Sequence, residues 1–340
     1  MLSRAFVKPN RRVPDQSKEW SLRSSSIFEH EDFLFGFTDD IPLTSCSSDG
    51  SDMTLRQVLR ASVGVMGESP LGMTEKVVLL GGKIRAVKRF RRVGIRRNEF
   101  GRRVERLALV GNQCEYLVPV IAYLYAKRIK FVVCDYYPMG SLADLLSGKH
   151  LFDLSLCCVY ICLIGSYTLY PDEIYSTILA AKEEGHTGLE WKHRYRIGQC
   201  IAKAIAFIHS QTPPTDRHLK LNVHGNVKTS NVMVNVDFSA RLSDYGFLQL
   251  ADHVDTGPYQ PGLSQESDVY SFGVVLMEIL GWPDPDAAAL GATSGHVFEF
   301  CVGRGEEERQ VWNVLEIALL CRNSLGHERP TISDVVACLA

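Results

Sequence analysis

The stretch Val223-His224-Gly225-Asn226-Val227-Lys228-Thr229-Ser230-Asn231-Val232-Met233-Val234, followed by Leu242-Ser243-Asp244-Tyr245-Gly246, decides the reading of this chain. A polar turn carrying His224, Asn226, Lys228 and Asn231 runs into an apolar triplet, and a short hairpin then ends in an Asp-aromatic-Gly turn. Asn231 and Asp244 are hard oxygen donors suited to magnesium, and Lys228 is a cation able to neutralise charge on a phosphate. The spacing is specific, because a second group upstream stands in register with it. Lys83-Ile84-Arg85-Ala86-Val87-Lys88 alternates like a strand after the Gly81-Gly82 turn and ends on a lysine. Downstream, Ser267-Asp268-Val269-Tyr270-Ser271-Phe272-Gly273 opens a run to Leu280 that is apolar around most of its circumference, as a buried helix requires.

Together these stretches resemble the catalytic loop, magnesium loop, Ala-x-Lys strand and Asp-x-Tyr/Trp-Ser-Phe-Gly helix of protein kinases. The resemblance implies an α+β, bilobal kinase fold, with a five-stranded antiparallel small lobe plus one helix and a larger, mainly helical lobe. It places the small lobe at about 53–134, the hinge at about 135–140 and the large lobe at about 141–340, after a flexible lead-in over 1–52. The closest likeness is to the cytoplasmic domain of plant leucine-rich-repeat receptor-like kinases, one group of which carries His-Gly-Asn at the catalytic turn.

What the resemblance implies for each site residue follows position by position. Lys88 contacts nucleotide phosphates and pairs with Glu105 of the next helix. Gly67 and Gly72 fall in the phosphate-covering loop, although Ser69 stands for its middle glycine and Pro70 has no N–H to offer. Ala86 and Met233 line the adenine pocket, Asp135 to Tyr137 present hinge backbone to it, and Cys134 sits at its back. Asn231 and Asp244 hold Mg2+ beside ATP. The departure is Asn226, at the position of the aspartate that accepts the substrate hydroxyl's proton. A neutral amide cannot take that proton near pH 7, and general-base catalysis is worth roughly 100 to 10,000-fold. Gly225 replaces the arginine that pairs with an activation-segment phosphate, and Gly262 replaces the glutamate that pairs with Arg329. Thr256 is a candidate phosphorylation site. His224 reads as a packed structural residue, and Asp268 as a helix cap that also holds the catalytic-loop backbone.

The functional expectation is a catalytically impaired signalling module with weak ATP and Mg2+ binding, whose partners are other receptor kinases or signalling proteins. The rival is an active serine/threonine kinase of low turnover with a protein substrate, in which Lys228 and metal offset the missing carboxylate; a third reading is a truncated, non-functional product.

Composition agrees with this and excludes other classes. The chain has 340 residues, 46% hydrophobic and 22% charged, enough for two buried cores. A net charge of -2 points away from nucleic acid and anionic membrane as principal partners. The ten cysteines form no Cys-x-x-Cys pair and sit in apolar text, which suggests reduced thiols in a cytoplasmic setting, at most held at the inner face of the plasma membrane through partners. Near the start, Arg4, Lys8, Arg11 and Arg12 offer a faint targeting pattern that Asp15, Glu19, Glu29 and Glu31 contradict. The patch Phe33-Leu34-Phe35-Gly36-Phe37 reads as loosely packed. Thr54 to Ser62 reads as a short helix, Phe100 to Leu107 as a helical segment with Val104, Leu107 and Ala108 on one side, and Trp191 to His209 as an amphipathic helix with Ile197, Ile201, Ile205 and Ile208 on one face. Leu117 to Leu124 and Ile129 to Val133 read as antiparallel strands, and Val311 to Cys321 and Ser333 onward as the last helices. The arginines at 89, 91, 92, 96, 97, 102, 103 and 106 read as a solvated face, with an acidic partner as the alternative. The dense apolar run Leu151 to Tyr170 lies in an insertion over about 149–187 that reads as an added, poorly packed element or translated intron rather than a membrane span; its Cys157, Cys158 and Cys162 read as packing rather than metal ligands.

Overall fold

The strand Ile84 to Phe90 is covered on both faces, with Arg85 and Val87 buried on one and Lys88 and Phe90 on the other, because it lies inside the sheet of the small lobe. The structure, a computed structural model, describes residues 41–50, 52–126, 129–147, 189–212, 219–251, 263–281, 300, 302–303 and 305–340. The strands are β1 (Thr44–Ser45), β2 (Ser62–Ser69), β3 (Gly72–Val78), β4 (Ile84–Phe90), β5 (Val120–Tyr125) and β6 (Lys130–Asp135). They form one antiparallel sheet in the order β1-β5-β6-β4-β3-β2. Helix α1 (Leu55–Arg60) opens with a Thr54/Gln57 capping box, and α2 (Arg97–Gly111) buries Phe100, Val104, Leu107 and Ala108.

Two expectations change here. The sheet has a sixth strand, and the lead-in does not extend to Asp52, because residues 41–50 belong to the folded small lobe. Residues 41–50 carry β1 and a turn, and Leu43 and Met53 enter the core formed by Val58, Val77, Val87, Ile121 and Phe131. A two-residue strand that exposes both side chains leaves no apolar period to read.

Among the described residues the large lobe has α3 (Leu142–Leu146), α4 (Trp191–His209), the hairpin β7 (Val232–Val234) and β8 (Ala240–Leu242), α5 (Gln265–Ile279), α6 (Glu306–Cys321) and α7 (Ile332–Cys338). Ile197, Ile201, Ile205 and Ile208 are all fully buried, so the stripe on α4 is the centre of this lobe's core. α5 starts at a Ser264/Ser267 capping box; Asp268, expected to cap it, lies one turn inside and is used elsewhere. No helix among the described residues is long and apolar enough to cross a membrane. The insertion over about 149–187, Phe33 to Phe37, Thr256 and Gly262 fall outside the described residues.

Candidate nucleotide site and catalytic loop

Asp268, 1% exposed, organises the catalytic turn. Its Oδ2 accepts the His224 backbone N–H at 2.7 Å, its Oδ1 the Gly225 N–H at 2.7 Å, and His209 Nε2 lies 3.1 Å from Oδ2. A buried carboxylate is stable only when hydrogen-bonded, and here two backbone donors of one turn and a ring nitrogen meet that need. His224 is itself fully buried, and burial pushes its pKa below the ordinary histidine value against the opposing pull of Asp268 and Asp244. The neutral ring suits both its contacts: Nδ1 accepts the Asn226 N–H at 3.1 Å, and Nε2–H donates to the Ser243 carbonyl at 3.0 Å. His224 therefore ties the catalytic turn to the turn carrying Asp244, in the structural role read from the sequence.

The hairpin completes the alignment. Val232 pairs with Leu242, and the next residues out are joined by the Ser243 N–H donating to the Asn231 carbonyl at 2.7 Å, so Asn231 and Asp244 leave the hairpin side by side. Asn231 Nδ2 donates to the Asn226 carbonyl at 2.8 Å, which leaves Oδ1 as the free acceptor of the amide. Asp244 adopts a left-handed φ of 64°, a conformation that costs a non-glycine residue about 1–3 kcal/mol and is held by its surroundings. Lys88 Nζ, 7% exposed as a residue, lies 3.0 Å from Asp244 Oδ2. The contact is ionic without hydrogen-bond alignment, so Asp244 Oδ2 is a buried acceptor with no donor. Lys228 shares this field: burial lowers its pKa, Asp244 opposes the shift and Lys88 adds to it. Two lysines thus face one carboxylate in a partly dry cleft, which favours an anionic ligand.

The undonated Asp244 Oδ2 and the Asn231 Oδ1 fit a hard divalent cation. Among the described residues no group of three or more His, Cys, Asp or Glu could hold a metal unaided, so the remaining ligands would have to be phosphate oxygens and water.

A family model described as protein tyrosine and serine/threonine kinase matches residues 83–262, just over half of the 340. The chain belongs to the protein kinase family. Its relatives include the "probable inactive receptor kinase" RLK902 of Arabidopsis thaliana, 32% identical over 314 residues that cover 83% of this chain and 42% of RLK902. The chain spans about two fifths of the length of the first such relatives. Two solved structures share the fold. The pseudokinase domain of BIR2, an immune regulator of the RLK/Pelle family, superposes with a TM-score of 0.66 at 21% identity, over 91% of this chain and 92% of that one. The maize SIRK1 kinase domain bound to AMP-PNP superposes with a TM-score of 0.62 at 22% identity, over 87% and 98%. The resemblance to the kinase domain of plant receptor-like kinases is thereby shown.

The segment expected as the hinge follows β6. Asp135 spends its carboxylate on Arg85, Oδ1 accepting from Nη1 at 3.0 Å, while Arg85 Nη2 also meets Asp49. Tyr137 is buried, its carbonyl accepts the Gly140 N–H at 3.1 Å, and the Arg241 guanidinium lies over its ring. Met233 bridges to Ser141 through backbone, which brings the hairpin under the hinge, while Ala86 pairs with Cys134 in the sheet above. Burial and the carboxylates of Asp244 and Asp135 push the Cys134 thiol far up, which marks it as an unreactive packing group close to Lys88 and Asp244. The β2–β3 turn is a tight Pro70-Leu71 connection with Ser69 paired to Gly72. A Cβ on Gly72 would lie 1.8 Å from the Arg89 carbonyl, so this glycine is required by the sheet itself. Gly67 is exposed and has open space around it.

Three sequence readings need correction. Lys88 pairs with Asp244 and not with Glu105, whose carboxylate instead accepts the Tyr123 hydroxyl at 2.7 Å. Arg329 has not been left unsatisfied: it donates to the Asn323 and Glu266 carbonyls and lies 4.9 Å over the Tyr270 ring. The basic run is only in part a solvated face, since Arg89 pairs with Glu75, Arg91 with Glu68, and Arg102 and Arg103 with Glu99. Arg103 also reaches across to the Gln249 carbonyl at 2.7 Å.

Sequence reasoning missed Tyr123, Thr44 and Leu263. Leu263 packs against Gly225, whose φ is 81° and whose added Cβ would lie 2.4 Å from Leu263 Cδ2. The place of the kinase arginine is thus filled by leucine. No spacing rule marks such a partner, which lies 38 residues away, from 225 to 263.

Proposed function

We propose that this kinase domain binds ATP weakly, with Mg2+, and acts in signalling through partner proteins with little or no phosphate transfer. The observation that carries the reading is Asn226. It sits on the turn held by Asp268 and His224, its carbonyl anchors Asn231, and its side chain is an amide where proton acceptance needs a carboxylate. The relative RLK902 is named as inactive, which supports the same reading.

The other parts favour binding. Lys88 and Lys228 supply positive charge toward phosphate, Asn231 and Asp244 supply the oxygens for the cation, and the backbone from Asp135 to Tyr137 faces the base, with Ala86 and Met233 above and below it. When bound, the cation would neutralise phosphate charge. Gly67 leaves room for phosphates, while the proline-containing turn after it gives fewer N–H groups, hence weak affinity. Partners are other receptor kinases or signalling proteins at the cytoplasmic face of the plasma membrane. The rival is slow phosphate transfer to a serine or threonine hydroxyl, favoured by the intact Lys88, Lys228, Asn231 and Asp244 set, because phosphoryl transfer depends chiefly on positioning and charge.

The test is the melting temperature of the purified chain with ATP and magnesium. A rise that Lys88→Met abolishes supports binding, whereas no rise removes the nucleotide from the reading. Radiolabelled phosphate transfer that Asp244→Ala eliminates would establish the rival.

A further inference from the structure

The small-lobe sheet brings a second claimant to Glu105. Its register lines up Thr74, Lys88, Val132, Tyr123 and Thr44 across β3, β4, β6, β5 and β1. Residues directly opposite in an antiparallel sheet share a face, so Lys88 and Tyr123 emerge on the same side with Val132 between them, about 10 Å apart along the hydrogen-bonding direction. α2 packs on that side, with Phe100 6.0 Å from the Tyr123 ring, and Glu105 projects from α2 toward the row. It closes on the tyrosine end.

Several features hold it there. Tyr123 is 7% exposed, and its hydroxyl donates to Glu105 Oε1 at 2.7 Å. Burial and that carboxylate push the hydroxyl's pKa up, so it stays a donor, and Thr44, of the strand added ahead of α1, stands beside Tyr123 in the sheet. A Cβ at position 101 would lie 2.6 Å from the Tyr123 oxygen, so Gly101 of α2 makes the space that the hydroxyl occupies. Lys88, left without Glu105, takes Asp244.

We propose that Tyr123 is a positioning residue that latches Glu105 away from Lys88, so that Lys88 holds the carboxylate otherwise available to the divalent cation. The part of this inference that concerns ATP rests on the nucleotide reading above. In the latched protein a cation must compete with Lys88 for Asp244, and ATP binding gains little from magnesium. Release gives Lys88 to Glu105 and frees Asp244.

The experiment uses the full chain as wild type, Tyr123→Phe, Glu105→Gln and the double variant, with the Kd for ATP measured in magnesium and in EDTA. Magnesium should tighten ATP binding in Tyr123→Phe by on the order of tenfold more than in wild type, the size of an ordinary coupling between sites. The double variant should return to wild-type behaviour; an equal magnesium effect in wild type and Tyr123→Phe overturns the latch. A second measurement needs no nucleotide. Asp244→Asn strips Lys88 of its partner and should lower the melting temperature less in the Tyr123→Phe background, where Glu105 takes over. An equal drop in both backgrounds overturns the latch. A smaller drop together with no ATP binding by any variant upholds it and removes the nucleotide reading alone. A tyrosine that merely packs would lower stability without changing the Asp244→Asn penalty.

Discussion

Writing an arginine back at position 225 should damage this protein. The backbone there has φ 81°, in the left-handed region that costs an L-residue about 1–2 kcal/mol. Any Cβ would also stand 2.4 Å from Leu263 Cδ2, the end of a half-buried side chain that must turn aside, at about 0.5–1.5 kcal/mol. The two effects together predict a loss of about 1.5–3.5 kcal/mol for Gly225→Arg, and nearly as much for Gly225→Ala, because both arise at Cβ. Urea unfolding of the full chain measures it. Leu263→Ala combined with Gly225→Ala should recover the steric part and leave the backbone part. Conversely, a Gly225→Ala loss below about 0.5 kcal/mol, within the range of an ordinary surface change, would refute the argument that glycine and leucine are fitted to each other.

Asn226→Asp alone should raise any residual phosphate transfer, by at most about 100 to 10,000-fold, as read by radiolabel incorporation; no change would mean that something other than proton acceptance limits transfer. Asp268→Ala leaves the His224 and Gly225 N–H groups without their acceptor and should cost about 2–6 kcal/mol at about 1–3 per orphaned donor, so that a midpoint shift under about 1 kcal/mol in urea contradicts the scaffold role. His224 is depressed by burial, so the unfolded chain takes up a proton near pH 6.5 that the native chain refuses. The stability it contributes is full above that pH and is lost as pH falls toward the native pKa, at up to about 1.4 kcal/mol per pH unit. Urea midpoints between pH 7.5 and 5.5 should show a drop that His224→Gln reduces, and parallel pH profiles would exclude this source.

Much of the architecture was legible because it rests on local periodicity and fixed spacing. The isoleucine stripe of α4, the alternation of β4 and the turn chemistry around Asn231 and Asp244 each sit within a short window. The illegible features join distant segments. Tyr123 reads as one more apolar strand residue, and only the register across three strands reveals that it shares a face with Lys88. Thr44–Ser45 exposes both side chains and gives no period. The Lys88 to Glu105 pairing was inferred from a pattern in which one cation and one carboxylate suffice, whereas Asp244 and Tyr123 also compete for the same two groups. Spacing identifies candidates for a pair; which pair forms is a difference between two electrostatic energies that spacing does not contain.

The altered positions also bear on whether the catalytic text has simply decayed. Loss of one member of an ion pair or packed contact leaves a buried charge or a cavity unless the surroundings change with it. At Gly225 the vacated space holds Leu263, and Lys220 Nζ fixes that leucine's carbonyl at 2.6 Å. Lys220 further exchanges two backbone-to-side-chain bonds with Gln249, whose own carbonyl takes Arg103 from the small lobe, so Gln249 and Leu263 are both tied to the chain leading into the catalytic turn. Arg329 has found two carbonyls and an aromatic face. At these two places the departure from the active pattern is matched by contacts of its own. The fold is therefore fitted to these altered letters, and the two lobes stay joined across them through Arg103 and Gln249.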